Sequence, residues 1–143
     1  MITELNYAIA VFTVRIIAGI LFFIQGYDKV FRIGMTEMKQ TVKSALSHSR
    51  LPDGLLSFIV PLNSWIELIC GFLLIIGFFK YYAIYFLCLN LMIVVLGFSM
   101  EKPMWENNHV FIRLILLIML LITPVDWDRF SIDYLFALSK LTI

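Results

Sequence analysis

With 143 residues, 62% of them hydrophobic, and a mean hydropathy of +0.94, the chain has room for one compact unit and is far more apolar than a soluble domain. Its 11 basic and 10 acidic residues leave a net charge of +1, which excludes a basic surface for nucleic acid. Composition therefore predicts an all-α integral membrane protein, a single domain over residues 1–143 with the lipid bilayer as its first partner.

Four apolar runs stand out in chain order, at about residues 7–31, 55–79, 81–100 and 110–125. A helix needs roughly 20 residues to cross the hydrocarbon core, so the first three qualify directly. The fourth is short, and crosses only with His109 and Trp127 at the interfaces or with local thinning of the bilayer. Trp105 and Trp127 near its ends fit an aromatic belt. The first run is too long for a signal peptide and lacks a basic leader and a small-residue cleavage pattern, so it is expected to be retained. A soluble bundle fits poorly, because these runs hardly show the polar face that soluble helices carry. The expected architecture is a four-helix transmembrane bundle with an amphipathic helix between spans one and two.

That connection, residues 32–53, is the only long one. Met35, Met38, Val42 and Leu46 share one helical face while Lys39, Lys43 and His48 lie elsewhere around it, which predicts a short amphipathic helix on the headgroups, or equally a solvated loop helix with no lipid role. Thr36 is expected to cap its start and Pro52 to end it. His48 has no partner set around it and is expected to be an exposed loop residue. Gly77 and the turn through Phe78 and Tyr81, with Lys80 at its tip, predict a tight antiparallel hairpin between spans two and three. After Pro124, DWDRFSIDYLFALSK begins polar and becomes amphipathic, as expected of a terminal helix along the membrane surface. Cys70 and Cys88 sit in different runs without ligand spacing and are expected to be inert core thiols.

An even number of spans puts both termini on one side. Lys29, Arg32, Lys39, Lys43, Arg50 and Lys102 flank the first and third loops, against Lys80, Arg129 and Lys140 on the other side, so the positive-inside rule places those loops in the cytoplasm.

The charges within the runs matter most. Arg15, Gly19, Phe22, Gly26 and Lys29 fall on one stripe of the first helix, and Asn63, Glu67, Cys70 or Gly71, Leu74 and Gly77 on one stripe of the second. Small residues on both stripes permit close approach. A guanidinium cannot face hydrocarbon cheaply, so Arg15 needs an anionic partner, and Glu67 is the expected one. Counting from the ends of the runs puts these two at depths of roughly 12 and 18 Å, Asn90 at roughly 14 Å and Arg113 at roughly 18 Å, a single layer near the midplane. The layer holds two arginines, one carboxylate and one amide. It is either a satisfied network that fixes helix order or a pocket for a polar ligand head such as a quinone carbonyl, a carboxylate or a sulfur oxyanion. The candidate ligand-binding residues are Arg15, Glu67, Asn90, His109 and Arg113. His109, four residues before Arg113, is either a proton donor at the pocket mouth or an interfacial histidine. Gln25, Asp28 and Lys29 form a shallower set expected to serve as anchors.

The stretches RIIAGILFFIQGYDKVF, WIELICGFLLIIGFFKYYA and DRFSIDYL resemble the DoxX-like family of small four-span membrane proteins. The residues that match are Arg15, Gly19, Gly26, Lys29, Glu67, Gly71 and Asp133. The resemblance implies a four-helix membrane bundle in a bacterial inner membrane. It also implies association with thiol and sulfur redox complexes, including a quinone-reducing subunit for thiosulfate, while more distant relatives act as membrane chaperones or cargo receptors. The chain departs from a self-contained redox enzyme in having no cysteine pair and no metal-ligand cluster, so electron transfer requires a bound quinone or a redox partner protein. The leading expectation is an accessory subunit of a membrane thiol/sulfur or quinone redox system, with quinone as the candidate cofactor. The rival is an assembly factor that recognises other membrane proteins through its small-residue faces; a homo-oligomer is a separate partner expectation. A transporter is less favoured, because no span is interrupted at its midplane.

Overall fold

The computed structural model describes residues 2–45, 52–99 and 108–141, and every regular element among them is helical. Helix α1 (Ile2–Tyr27) leads through a wide π-helical turn (Asp28–Gly34) straight into α2 (Met35–Ala45). Gly34, at φ 86°, ends that turn in a left-handed conformation that glycine adopts without strain. Helix α3 (Asp53–Ile76) starts from extended Pro52 and runs back along the first unit. It closes on Gly77 at φ 70°, where the Phe78 N–H reaches the Leu73 carbonyl and the Gly77 N–H reaches that of Leu74. Helix α4 (Lys80–Ser99) follows at once, then α5 (Asn108–Ile122), a 3₁₀ turn (Val125–Trp127) and α6 (Ile132–Leu141).

Among the described residues, three helical stretches are long and apolar enough to cross a membrane: the unbroken 2–45 unit, Gly54–Ile76 and Lys80–Gly97. The expected fourth span is a shorter apolar helix, Val110–Ile122. Phe22, Leu74, Ile84, Leu87, Leu117 and Leu120 are fully buried between the helices. Their outer faces carry Ile24, Phe72, Tyr85, Phe86, Ile115 and Ile118, all exposed and apolar, as expected of helices bathed in lipid.

Glycines set the register. A Cβ added at Gly19 would lie 2.9 Å from the Ile75 amide nitrogen, one at Gly71 would strike the backbone of Phe23, and one at Gly26 would strike that of Leu68. The two antiparallel helices therefore touch backbone to backbone, with Gly19 opposite Ile75 and Gly26 opposite Leu68. The ring of Phe31 against Trp65, centroids 6.3 Å apart, carries this pairing into the π turn. Tyr81 Oη donates to the Thr123 carbonyl (2.9 Å), which fixes α4 against α5.

Three expectations need correction. The amphipathic helix is present as α2 (Met35–Ala45), but it follows directly on the π turn and Thr36 lies inside it, so Thr36 does not cap its start. Its apolar face, with Met35, Met38 and Val42 half-buried, packs on α3; Leu46 and His48 lie outside the described residues. Pro52 stands at the start of α3, its fixed φ suiting the entry to a helix, and residues 46–51 between it and α2 lie outside the described residues. Lys80 is not at an exposed tip but is 2% exposed, because the segment after α5 folds over the hairpin. Trp105 lies outside the described residues, and Trp127 stacks on Tyr7, ring centroids 4.6 Å apart.

Candidate functional site

Polar side chains gather at two levels. The first is the α3–α4 hairpin. Arg15, fully buried, donates through Nε to Asp128 Oδ1 (3.2 Å), through Nη1 to the carbonyls of Leu74 and Ile75 (2.8 and 2.9 Å), and through Nη2 to that of Phe130 (2.8 Å). The carbonyls it takes from α3 belong to its last turn, where that of Leu74 also accepts from the Gly77 N–H and that of Ile75 is met by Arg15, so the cation sits at the negative end of the helix dipole. Lys80 Nζ approaches Asp128 Oδ2 at 3.6 Å and the Thr123 carbonyl at 3.5 Å, and lies over the Tyr81 ring. The carboxylate of Asp133 accepts from the amides of Phe79 and Lys80 (2.9 and 2.8 Å) and so caps α4. Ser131 Oγ donates to the Asp128 carbonyl and accepts from the Tyr134 amide. Every donor nitrogen of Arg15 is engaged, and the arrangement is a lock.

The second level lies about 20 Å further along α1, at the rise of 1.5 Å per residue. Here Lys29 Nζ pairs with Glu67 Oε2 (2.5 Å), and Asn63 Nδ2 donates to Glu67 Oε1 (3.3 Å). The π turn brings Lys29 to this position, and wide turns of this kind recur at functional sites. Asn90 follows Ala83, Ile84 and Leu87 on the core face of α4, and Arg113 follows Val110 and precedes Leu117 on that of α5. Counted from the tight hairpin and from the Tyr81–Thr123 bond, both fall level with Glu67, and Arg113 lies in the electrostatic field of that carboxylate. Half-buried Arg113 makes no hydrogen bond or ion pair among the described residues. Gln25 Oε1, Asn63 Oδ1 and Asn90 Nδ2 are buried without a hydrogen-bond partner there. Leaving such a group unpaired costs roughly 1–3 kcal/mol, so each of the three is a destabilising element of this level as it stands.

A family model described as DoxX matches residues 10–100. The chain belongs to the DoxX family. No curated protein matches it, and neither does any solved structure.

In this DoxX chain the match covers all of the Glu67 level except Arg113, but only part of the hairpin lock: Arg15, Gly77 and Lys80 are inside it, while Asp128, Ser131 and Asp133 are beyond its end. The expected pairing of Arg15 with Glu67 is incorrect. Arg15 lies opposite the hairpin, where a Cβ at Gly77 would come 2.7 Å from its Nη1, and Glu67 is held by Lys29. Counting depth from the ends of the apolar runs failed because residues 2–14 of α1 project past the hairpin, flanked by Trp127, Arg129 and Phe130. Of the expected layer, Arg113 lies in the field of Glu67, and Asn90 falls level with them by residue count along α4. His109 opens α5 one turn before Arg113, and its side chain lies outside the described part of the structure. Sequence reasoning missed Asp128 and Lys80 as buried ions, and gave Gln25 and Lys29 an anchoring role only. The glycine register was the signal for Lys29, since pairing Gly26 with Leu68 puts Lys29 beside Glu67. Cys70 is buried and Cys88 half-buried, both as free thiols. Among the described residues, no group of three His, Cys, Asp or Glu is placed to hold a metal ion.

Proposed function

We propose that this DoxX-family protein is an accessory subunit of a membrane thiol/sulfur or quinone redox system, and that it holds a polar-headed ligand at the Glu67 level. The observation that carries the reading is the set of unpaired buried atoms, Gln25 Oε1, Asn63 Oδ1 and Asn90 Nδ2, at the level of an ion pair and of an arginine that has no hydrogen bond or ion pair among the described residues. A ligand head seated there would accept from Arg113 and Asn90 and exclude lipid from the polar groups. Arg15 is left out of the ligand set, because its donors are already used in the lock. The redox setting rests on the family resemblance. With no thiol pair or metal cluster among the described residues, the carriers of electrons would be a bound quinone or the partner protein.

The membrane arrangement belongs to the same proposal. Helices α1, α3, α4 and α5 cross the inner membrane as four spans, α5 with local thinning of the bilayer. The connection after α2 and the α4–α5 loop face the cytoplasm. Burial of Lys80 removes one of the basic residues counted on the opposite side, which strengthens the positive-inside bias.

Native mass spectrometry of the detergent-purified protein, with lipid and quinone extraction, tests the reading. A stoichiometric small molecule that is retained in the wild type and lost in Glu67→Gln is the expected result. A clean apo mass together with a stoichiometric protein partner would replace the reading with that of an assembly factor.

A further inference from the structure

The hydrogen-bonding inventory at the Glu67 level restricts what its ligand is. Both carboxylate oxygens of Glu67 are occupied, one by Lys29 and one by Asn63. Among the described residues, two cations, Lys29 and Arg113, stand against this single carboxylate, which leaves one positive charge in surplus on Arg113, the one not paired with Glu67. Asn90, 2% exposed, presents an unpaired Nδ2 from the core face of α4. Free donors on one side of the inventory therefore call for an anion, and a guanidinium suits a carboxylate by its planar fork. The other side consists of acceptors. Asn63 uses its Nδ2 on Glu67, which fixes the amide orientation and leaves Oδ1 as a free carbonyl, and Gln25 Oε1 is likewise unpaired.

A neutral head with acceptors only, such as a quinone, would serve Arg113 and Asn90 but leave the surplus charge and both carbonyls unsatisfied. A bare anion would neutralise the charge yet place its oxygens near those carbonyls with nothing to donate. We infer that the Glu67 level takes a compact monoanion that carries its own hydroxyl, of the 2-hydroxycarboxylate class, with the carboxylate on Arg113 and Asn90 and the hydroxyl donating to Asn63 or Gln25. This rests on the ligand-site reading above and narrows it. Arg113 is half-buried, one turn after Val110 on the core face of α5.

The test is isothermal titration calorimetry on the full-length protein in lipid nanodiscs. The probes are lactate against propanoate for a soluble source, 2-hydroxyoctanoate against octanoate for a lipid-borne one, and decylubiquinone as the neutral head. In at least one pair the hydroxy acid is expected to bind about tenfold more tightly than its partner, as loss of one hydrogen bond to a buried acceptor implies. Arg113→Lys, which keeps the charge and loses the fork, is expected to weaken both acids. Asn63→Leu together with Gln25→Leu is expected to erase the preference for the hydroxyl while the protein keeps its helical circular dichroism. Equal binding within both pairs, or a preference that survives the double change, overturns the inference. Binding of decylubiquinone with no acid bound overturns it while sustaining the ligand-site reading. Binding of none of the five probes, with a clean apo mass, overturns both.

Discussion

Arg15 illustrates what a fully buried guanidinium demands. Its charge is met by Asp128, and three more of its hydrogens by carbonyls, among them that of Ile75 at the end of α3. Removing the cation leaves Asp128 with only Lys80 at 3.6 Å and orphans the Ile75 carbonyl, while that of Leu74 keeps the Gly77 N–H. Arg15→Leu is therefore expected to cost about 3–5 kcal/mol, the usual penalty for breaking a buried pair from one side. Tryptophan-fluorescence unfolding in a mild detergent measures it, and a loss below about 1 kcal/mol, typical of an exposed pair, would show that the lock is solvated. Sequence alone showed that Arg15 must have an anionic partner, since hydrocarbon offers none. It did not show which, because Glu67 is the carboxylate inside an apolar run, whereas Asp128 stands in a polar tail that only tertiary folding buries.

At the scale of the helices, α1 and α3 are held by contact of their backbones, and three glycines make the approach possible. Gly26 faces the amide and Cα of Leu68, atoms that cannot yield without moving α3. Gly97 in α4 and Gly54 in α3 have open space where a Cβ would go. Gly26→Ala should thus destabilise by about 1–3 kcal/mol through overpacking, whereas Gly54→Ala should be neutral or stabilising by about 0.5–1 kcal/mol through helix propensity. Melting of the two variants in parallel checks the sign of each effect, and a stable Gly26→Ala would mean the seam is looser than backbone contact. Composition and periodicity made the apolar runs legible, with the hairpin and the one-sided face of Met35, Met38 and Val42. Periodicity marks an apolar face without naming its neighbour. The seat of α2 on α3 follows from the π turn, whose wider winding keeps the helix continuous and turns Lys29 toward Glu67. No spacing rule in the sequence announces such a turn.

For the molecule as a whole, the chain beyond residue 124 is a working part of the bundle. It supplies the counter-ion of Arg15, a carbonyl for its Nη2 and the cap of α4, although the family match ends at residue 100. It also flanks the part of α1 that projects past the hairpin, through Trp127 on Tyr7, Phe130 on Phe12 and Arg129 with Glu4. Truncation after Pro124 should leave Arg15 and Lys80 facing each other with no carboxylate between them, and lower stability sharply. The cause is separable from simple loss of contacts by a double-mutant cycle. In the truncated chain Arg15→Leu removes an unpaired buried cation, so it should cost far less than in the full-length chain, or even stabilise. The coupling between the two changes is then expected at about 2–3 kcal/mol, near the top of the range for residues in direct contact. Equal costs of Arg15→Leu in both chains would mean that the tail braces α1 by its aromatic contacts alone, and that the charge on Arg15 is balanced by the carbonyls of α3.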